Sequence, residues 1–477
     1  MSTPIPKNAC ELDAASAARA TGGKIVRESG RRARGIVSDT RAIAGGEAFV
    51  ALRGERHDGH AFLGEAARRG AAMLIVDRID GDLPREADVV RVDDTLGAWG
   101  DLARARLAAW RAEKKVVAIT GSAGKTTTKQ LCAALLATRG TTWATPGNLN
   151  NLVGVPAVLF ALTAEHRFAV IECGMSVRGE IERLGAIVEP DVAVITNVGL
   201  AHAEGVGGTR QDVAREKGAL FRHAKAACVY DAEDALSTEL AAQSPRKLGF
   251  GRAKHADYKL LDRVSRGREG SRVTIERPCA ECASPTAREI VELELPFVGE
   301  AAAIDLCAAL AAAELAAGSI SQDALDAAMR SVRNVEGRAG VLDLGEVLVV
   351  DDTYNANPAS MRAALAILAE LAGARRRVAV LGEMKELGPA APAEHAAIGD
   401  ALAAAGVALA IGCGGLADQT MSRARELGIE ALACRDLEAA VAASLERVHA
   451  GDVVLVKGSR SVGAERIVEA LERRFKK

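Results

Sequence analysis

Aromatic side chains are scarce in this sequence: Phe, Tyr and Trp together supply 3% of its 477 residues. Cores must then be filled by Ala, Val, Leu and Ile, which favours helices packed on parallel sheets over an aromatic-rich sandwich. Long apolar runs are missing too. No segment reaches about 18 uninterrupted apolar residues, and the first two dozen residues hold no run of signal-peptide length, so a cytoplasmic protein without membrane insertion is expected. Neither sign of charge dominates, with 61 Lys and Arg against 63 Asp and Glu. That balance argues against a polybasic nucleic-acid partner surface and leaves room for a local basic cleft. The nine cysteines are odd in number and sit largely in apolar runs, as at Cys132, Cys228 and Cys307, where Cys acts as a small hydrophobe. No disulfide framework is expected. Cys279 and Cys282 in PCAEC form the one close pair, and no second CxxC or HxxxH supplies the two further ligands that structural zinc needs. No repeat of fixed period is visible.

What is present is apolar material, 49% of residues, with 26% charged. At about 150 residues per domain, this length suggests about three domains. Residues 1–112 read as a small α/β unit with strands at EAFVAL (47–52), AAMLIVD (71–77) and ADVVRVD (87–93), closed by a helix around LGAWGDLARARLAAWRAEKK. Residues 113–332 begin with the strand VVAIT, a GSAGK turn and the helix TTTKQLCAALLATRG, followed by strands FAVIECG (168–174) and VAVITNVG (192–199). Such alternation writes a doubly wound, mostly parallel sheet. Short alternating runs between 254 and 298, such as SRVTIER and IVELELPF, predict an antiparallel appendage, with Ala-rich helices over about 300–332 closing the domain. Residues 333–477 restart the pattern with EVLVVDD, RRVAVLGEM, VALAIGCG and DVVLVKGS, a Rossmann-like unit. The fold class expected is therefore α/β in three domains.

Chemistry is written first at Gly121-Ser122-Ala123-Gly124-Lys125-Thr126-Thr127, between a strand and a helix. Glycines let backbone N–H groups face a phosphate, the helix N-terminus adds positive partial charge, Lys125 reaches terminal phosphates and Thr126 can hold magnesium. A standard P-loop has a glycine five residues before Gly124, where Ile119 stands, so this is a shorter GxxGKT form. The next strands end near Glu172 and His202. Ligands of an open parallel sheet lie beyond the carboxyl ends of its strands, so these two either converge on the nucleotide loop as metal ligands or serve as a capping Glu and a satisfied loop His. Between them lies Thr145-Pro146-Gly147-Asn148-Leu149-Asn150-Asn151, which suits a sugar or diphosphate through its amides or is a plain turn.

The motifs GSAGKTTT, TPGNLNN, IECGMSVRGEI, ITNVGLAHAEG, EKGAL and DDTYNANPASM, in this order, resemble the Mur ligases of bacterial peptidoglycan synthesis. FVAL, Ser38-Asp39-Thr40-Arg41 and Asp58-Gly59-His60 extend the resemblance, which runs from about residue 35 to the KGSR at 457–460. TPGNLNN with YNANP points to the activity that joins a UDP-muramoyl-tripeptide to D-alanyl-D-alanine, with ATP giving ADP and phosphate. The resemblance implies that Ser38, Asp39, Thr40, Arg41 and His60 surround the UDP moiety, and that Arg338 and Asp352 close the C-terminal domain over ATP held by residues 121–127. It implies one Mg2+ between Thr126 and Glu172, and a second with His202 and a carbamylated Lys217. Lys125, Glu172, His202 and Lys217 then form the catalytic set, Asn148 and Asn151 meet the muramoyl side, and Tyr354, Asn355 and Asn357, with Lys457, Ser459 and Arg460, lie near the dipeptide. The partners implied are small molecules, with the enzyme acting as a monomer.

One departure stands out. The family's GxHNxxN signature, whose His-Asn region helps hold adenine, reads Gly299-Glu300-Ala301-Ala302-Ala303-Ile304-Asp305. Adenine contacts there must come from backbone or from Asp305. The competing readings are another ligase of the superfamily, which for the third-residue-adding member would carry a DNPR-like motif where YNANP stands, and a P-loop switch or transport ATPase, which has no reason for a UDP-type first domain.

Overall fold

The computed structural model describes residues 3–54, 57–79, 85, 87–279, 284 and 286–476. Three larger sheets follow one another along the chain. The first orders its strands Lys24–Arg27, Asp88–Arg91, Met73–Val76, Ala48–Val50 and Ile36–Val37; the last four are mutually parallel and the first is an antiparallel edge. Lys24–Arg27 is largely exposed, as a charged edge strand can be, and its KIVR is too short and too polar to stand out in the sequence.

Among the described residues the central sheet has nine strands. Thr142–Ala144, Phe168–Glu172, Lys115–Thr120, Val192–Ile195, Ala227–Asp231, Lys247–Gly251 and Tyr258–Ser265 run parallel, as buried apolar runs between helices predict. Ser271–Pro278 and Arg288–Leu295 then add antiparallel strands to the same sheet, so the expected appendage is a continuation rather than a separate layer. Their alternating burial is that of a sheet with one wet face. Helix Glu300–Ala317 lies over this sheet beside Lys125–Ala137, and its run from Leu306 to Ala313 is wholly buried. Small alanine side chains let the backbones approach closely.

The third sheet orders Gly340–Asp343, Leu348–Asp352, Val453–Lys457, Arg377–Gly382, Leu409–Cys413 and Glu430–Cys434, parallel except for the first hairpin. Helix Thr95–Trp110 joins the first two sheets: its two indoles donate to the carbonyls of Val153 and Thr163 at 2.9 and 2.8 Å, and one apolar core spans both units. Seven cysteines are buried and free, while Cys279 is disulfide-bonded, a link not expected from the sequence; Cys282 lies outside the described residues. Among the described residues no helix is long and apolar enough to cross a membrane.

Candidate active site

The nucleotide loop leaves strand Lys115–Thr120 and enters helix Lys125–Ala137. Gly124, at the start of that helix, has φ of 80°, and a Cβ there would meet Asp305 Oδ1 at 2.3 Å, so only glycine fits. Lys125 curls back to donate to the Gly121 carbonyl at 2.6 Å. Burial pulls its pKa down, with Arg338 pushing the same way and Glu172 opposing.

Glu172 ends strand Phe168–Glu172 and is 1% exposed. Its Oε2 accepts from Thr126 Oγ1 at 3.0 Å and pairs with Lys129 Nζ at 3.0 Å, while Oε1 accepts from Asn150 Nδ2 at 2.8 Å. Burial alone would raise its pKa; Lys129, Arg338 and Lys125 outweigh burial and hold it ionised, below the usual range. Thr126 and Glu172 thus present hard oxygen donors at the wall of a cavity of about 920 Å³, the donor type magnesium takes.

Within the polar loop each amide has its own partner. Asn148 Oδ1 accepts from the Thr3 hydroxyl at 2.9 Å, and Asn151 Oδ1 accepts from the Gly154 N–H at 2.8 Å, starting helix Gly154–Phe160. Both line the cavity, yet it is Asn150 that reaches Glu172. Lys129 carried no mark in the sequence, because a lysine one turn into a helix reads as a solvated charge, and Asn150 was marked only as part of its loop.

His202 lines the cavity with φ of 57°, and its Nδ1 meets Glu386 of the C-terminal sheet's loops, which holds the Glu386 carboxyl below its usual range. Lys217, on helix Arg210–Arg222, is 1% exposed and donates to the Gly121 carbonyl at 3.1 Å. Burial, reinforced by Lys125, lowers its pKa far below that of a free lysine despite Glu216. No hydrogen bond among the described residues joins His202 to Lys217, and Lys217 is absent from the cavity wall.

The C-terminal domain covers the loop. Asn357 Nδ2 donates to the Ser122 carbonyl at 3.2 Å, and the same side chain caps helix Pro358–Ala372. Arg338 stacks 4.0 Å over the Tyr354 ring, and its buried Nε has no hydrogen-bond partner among the described residues; Arg460 lies 5.7 Å from the same ring. Asp352 is neutralised inside its own domain by Lys457 Nζ at 2.6 Å, which also donates to the Asn355 carbonyl at 2.8 Å. Ser459 Oγ accepts from the Lys385 N–H at 3.0 Å. Helix Glu300–Ala317 brings Ala301, Ala302 and Asp305 to the cavity. Burial raises the Asp305 pKa to about 8, with Asp231 adding to it.

Ser38, Asp39, Thr40, Arg41 and His60 stand apart from this cavity, beyond the ends of strands Ile36–Val37 and Ala48–Val50. Asp39 pairs with Arg41 at 2.6 Å. The buried His60 bonds Asp58 through Nδ1 at 2.8 Å and accepts from the Asp77 N–H through Nε2 at 3.3 Å. Arg78 holds Asp58 well below the carboxylate range.

Three family models match successive stretches of the chain. Residues 32–106 match the Mur ligase family catalytic domain, 119–313 the Mur ligase middle domain and 337–460 the Mur ligase glutamate ligase domain. A UDP-N-acetylmuramoyl-tripeptide--D-alanyl-D-alanine ligase of Escherichia coli (strain K12) is 36% identical over 450 residues, 92% of this chain and 93% of that protein. The chain belongs to the Mur ligase family. A ligase of the same name from Synechocystis is 33% identical over 92% of both chains. Among solved structures, this Mur ligase superposes on MurF from Acinetobacter baumannii with a TM-score of 0.86 at 30% identity, covering 98% of this chain and 100% of that one. It superposes on MurF ligase from Thermotoga maritima in complex with ADP with a TM-score of 0.78 at 29% identity, covering 92% and 97%.

Proposed function

We propose that this Mur ligase joins UDP-N-acetylmuramoyl-tripeptide to D-alanyl-D-alanine, with ATP giving ADP and phosphate, in the cytoplasm where these soluble precursors are made. The observation that carries the reading is one cavity walled by the nucleotide loop, by the 145–151 loop and by the YNANP segment of the C-terminal domain. The relatives and solved structures of that name, matching over nearly the whole chain, support it.

A carboxylate is a poor acyl donor because oxide leaves poorly. Its oxygen attacks the γ-phosphorus of ATP, ADP departs, and the acyl phosphate formed is attacked by the dipeptide's neutral amine through a tetrahedral intermediate that expels phosphate. Lys125 and Arg338 supply cationic donors for the charge that develops on the transferred group. Arg338 has an unspent Nε donor for it. Closure of the C-terminal domain, held by Asn357 on Ser122 and Glu386 on His202, keeps water from the acyl phosphate. Magnesium fits Thr126 and Glu172, and when bound it neutralises phosphate charge. A second ion would be held by His202 and by Lys217 as a carbamate that reaches the cavity, whose wall carries His202 and not the Lys217 amine. Burial lowers the Lys217 pKa and so favours the neutral amine, the form that adds to carbon dioxide, losing a proton to give an anion with oxygen donors. The outer residues Ser38, Asp39, Thr40, Arg41 and His60 would take the UDP moiety, at the carboxyl ends of the first sheet's parallel strands.

Phosphate release measured with both carbon substrates, each omitted in turn, tests the reading. Turnover is expected only with both present; steady release from enzyme and ATP alone, unchanged by the substrates, would favour an ATPase.

A further inference from the structure

Lys129 is a cation with nowhere to go. It is 3% exposed, one helical turn beyond Lys125, and among the described residues its ammonium has two partners: Glu172 Oε2 at 3.0 Å and the Gly147 carbonyl at 3.1 Å. The first belongs to the strand that ends in the cation-binding carboxylate, the second to the loop that carries Asn148, Asn150 and Asn151. Asn150 closes the circuit from the other side by donating to Glu172 Oε1 at 2.8 Å. Both oxygens of one carboxylate are therefore shared between the nucleotide helix, through Thr126 and Lys129, and the asparagine loop.

A buried ion pair is costly to break from one side, because the remaining charge cannot reach water. An arriving divalent cation at Glu172 repels an ammonium already on the same oxygen. Lys129 cannot swing into solvent, so its one alternative among the partners observed is the Gly147 carbonyl.

We propose that Lys129 is a positioning residue that links the Glu172 carboxylate to the backbone of residues 146–151, so that filling the nucleotide site tightens the loop facing the carboxylate substrate. The inference rests on the functional reading above for what that loop meets, but not for its own test.

Hydrogen exchange of the loop amides, with and without Mg2+ and ADP, decides it. In the wild type, MgADP is expected to slow exchange across residues 146–151 by about threefold or more. In Lys129→Met the free loop should exchange about fivefold faster and the response to MgADP should vanish, whereas Lys129→Arg, which keeps the charge and a donor, should retain it. Merely loosened packing would speed exchange without abolishing the response. If Lys129→Met does not fold, Lys129→Gln, neutral but still able to donate to Gly147, carries the same comparison. A wild-type MgADP response in the neutral variant, or no response in the wild type, overturns the proposal. Because neither muramoyl substrate nor dipeptide is used, a failure here is separate from a failure of the ligation assay.

Discussion

Lys125 and Lys217 donate to the same oxygen, the carbonyl of Gly121, from 2.6 and 3.1 Å. Two ammonium groups on one acceptor repel, and Lys217, the more enclosed by the fold, is the one whose pKa falls furthest. Lys217→Ala is expected to abolish ligation while circular dichroism and melting show an intact fold. Buffer freed of carbon dioxide should lower wild-type activity reversibly. Full activity in Lys217→Ala would end the carbamate idea.

Lys125 faces the phosphates in the proposed reaction, and among the described residues its ammonium bonds the Gly121 carbonyl and no residue of the first domain. Lys125→Ala should cost roughly 3–4 kcal/mol of transition-state stabilisation, about 10²–10³-fold in kcat, with the Kd for UDP-muramoyl-tripeptide unchanged in calorimetry. Lost affinity with preserved turnover would reverse the assignment of the two sites.

Burial, with Asp231 adding to it and Thr128 and Arg338 opposing, raises the Asp305 pKa to about 8 from the ordinary 3.8. The folded protein therefore binds the extra proton between those values, and stability falls as pH rises through that window. Melting temperature should drop between pH 5 and 8.5 more steeply in the wild type than in Asp305→Asn. Parallel slopes for the two proteins would refute the buried neutral acid.

Asn357 does two jobs with two atoms. Its Oδ1 accepts from the Ser360 N–H at 2.9 Å, and its Nδ2 reaches the Ser122 carbonyl. Asn357→Asp keeps the cap and loses the reach; Asn357→Ala loses both. About 1 kcal/mol of stability should separate the two in urea titrations, while both weaken ADP binding. Equal stability, or unimpaired ADP affinity in Asn357→Asp, would contradict this division.

The parallel strands were legible wherever a buried apolar run lay between helices, as at Phe168–Glu172 and Val453–Lys457. Lys24–Arg27 was not, since its pairing partner Asp88–Arg91 lies far along the chain and its own residues are exposed. Lys125, Thr126 and Glu172 could be placed because a glycine turn and a strand end fix them locally. Lys129 became visible only through its partners, which come from two other segments, and the Lys457–Asp352 pair likewise spans two strands that meet only in the sheet.

The three tryptophans, Trp99, Trp110 and Trp143, all donate to carbonyls of residues 153–163, at the seam of the first two units. The C-terminal third contains no indole. Intrinsic fluorescence is thus an optical probe of that seam, silent to the last domain, while far-ultraviolet dichroism sees the whole chain. Divergence of the two signals during heating would time the departure of the closing domain from the rest without any attached dye.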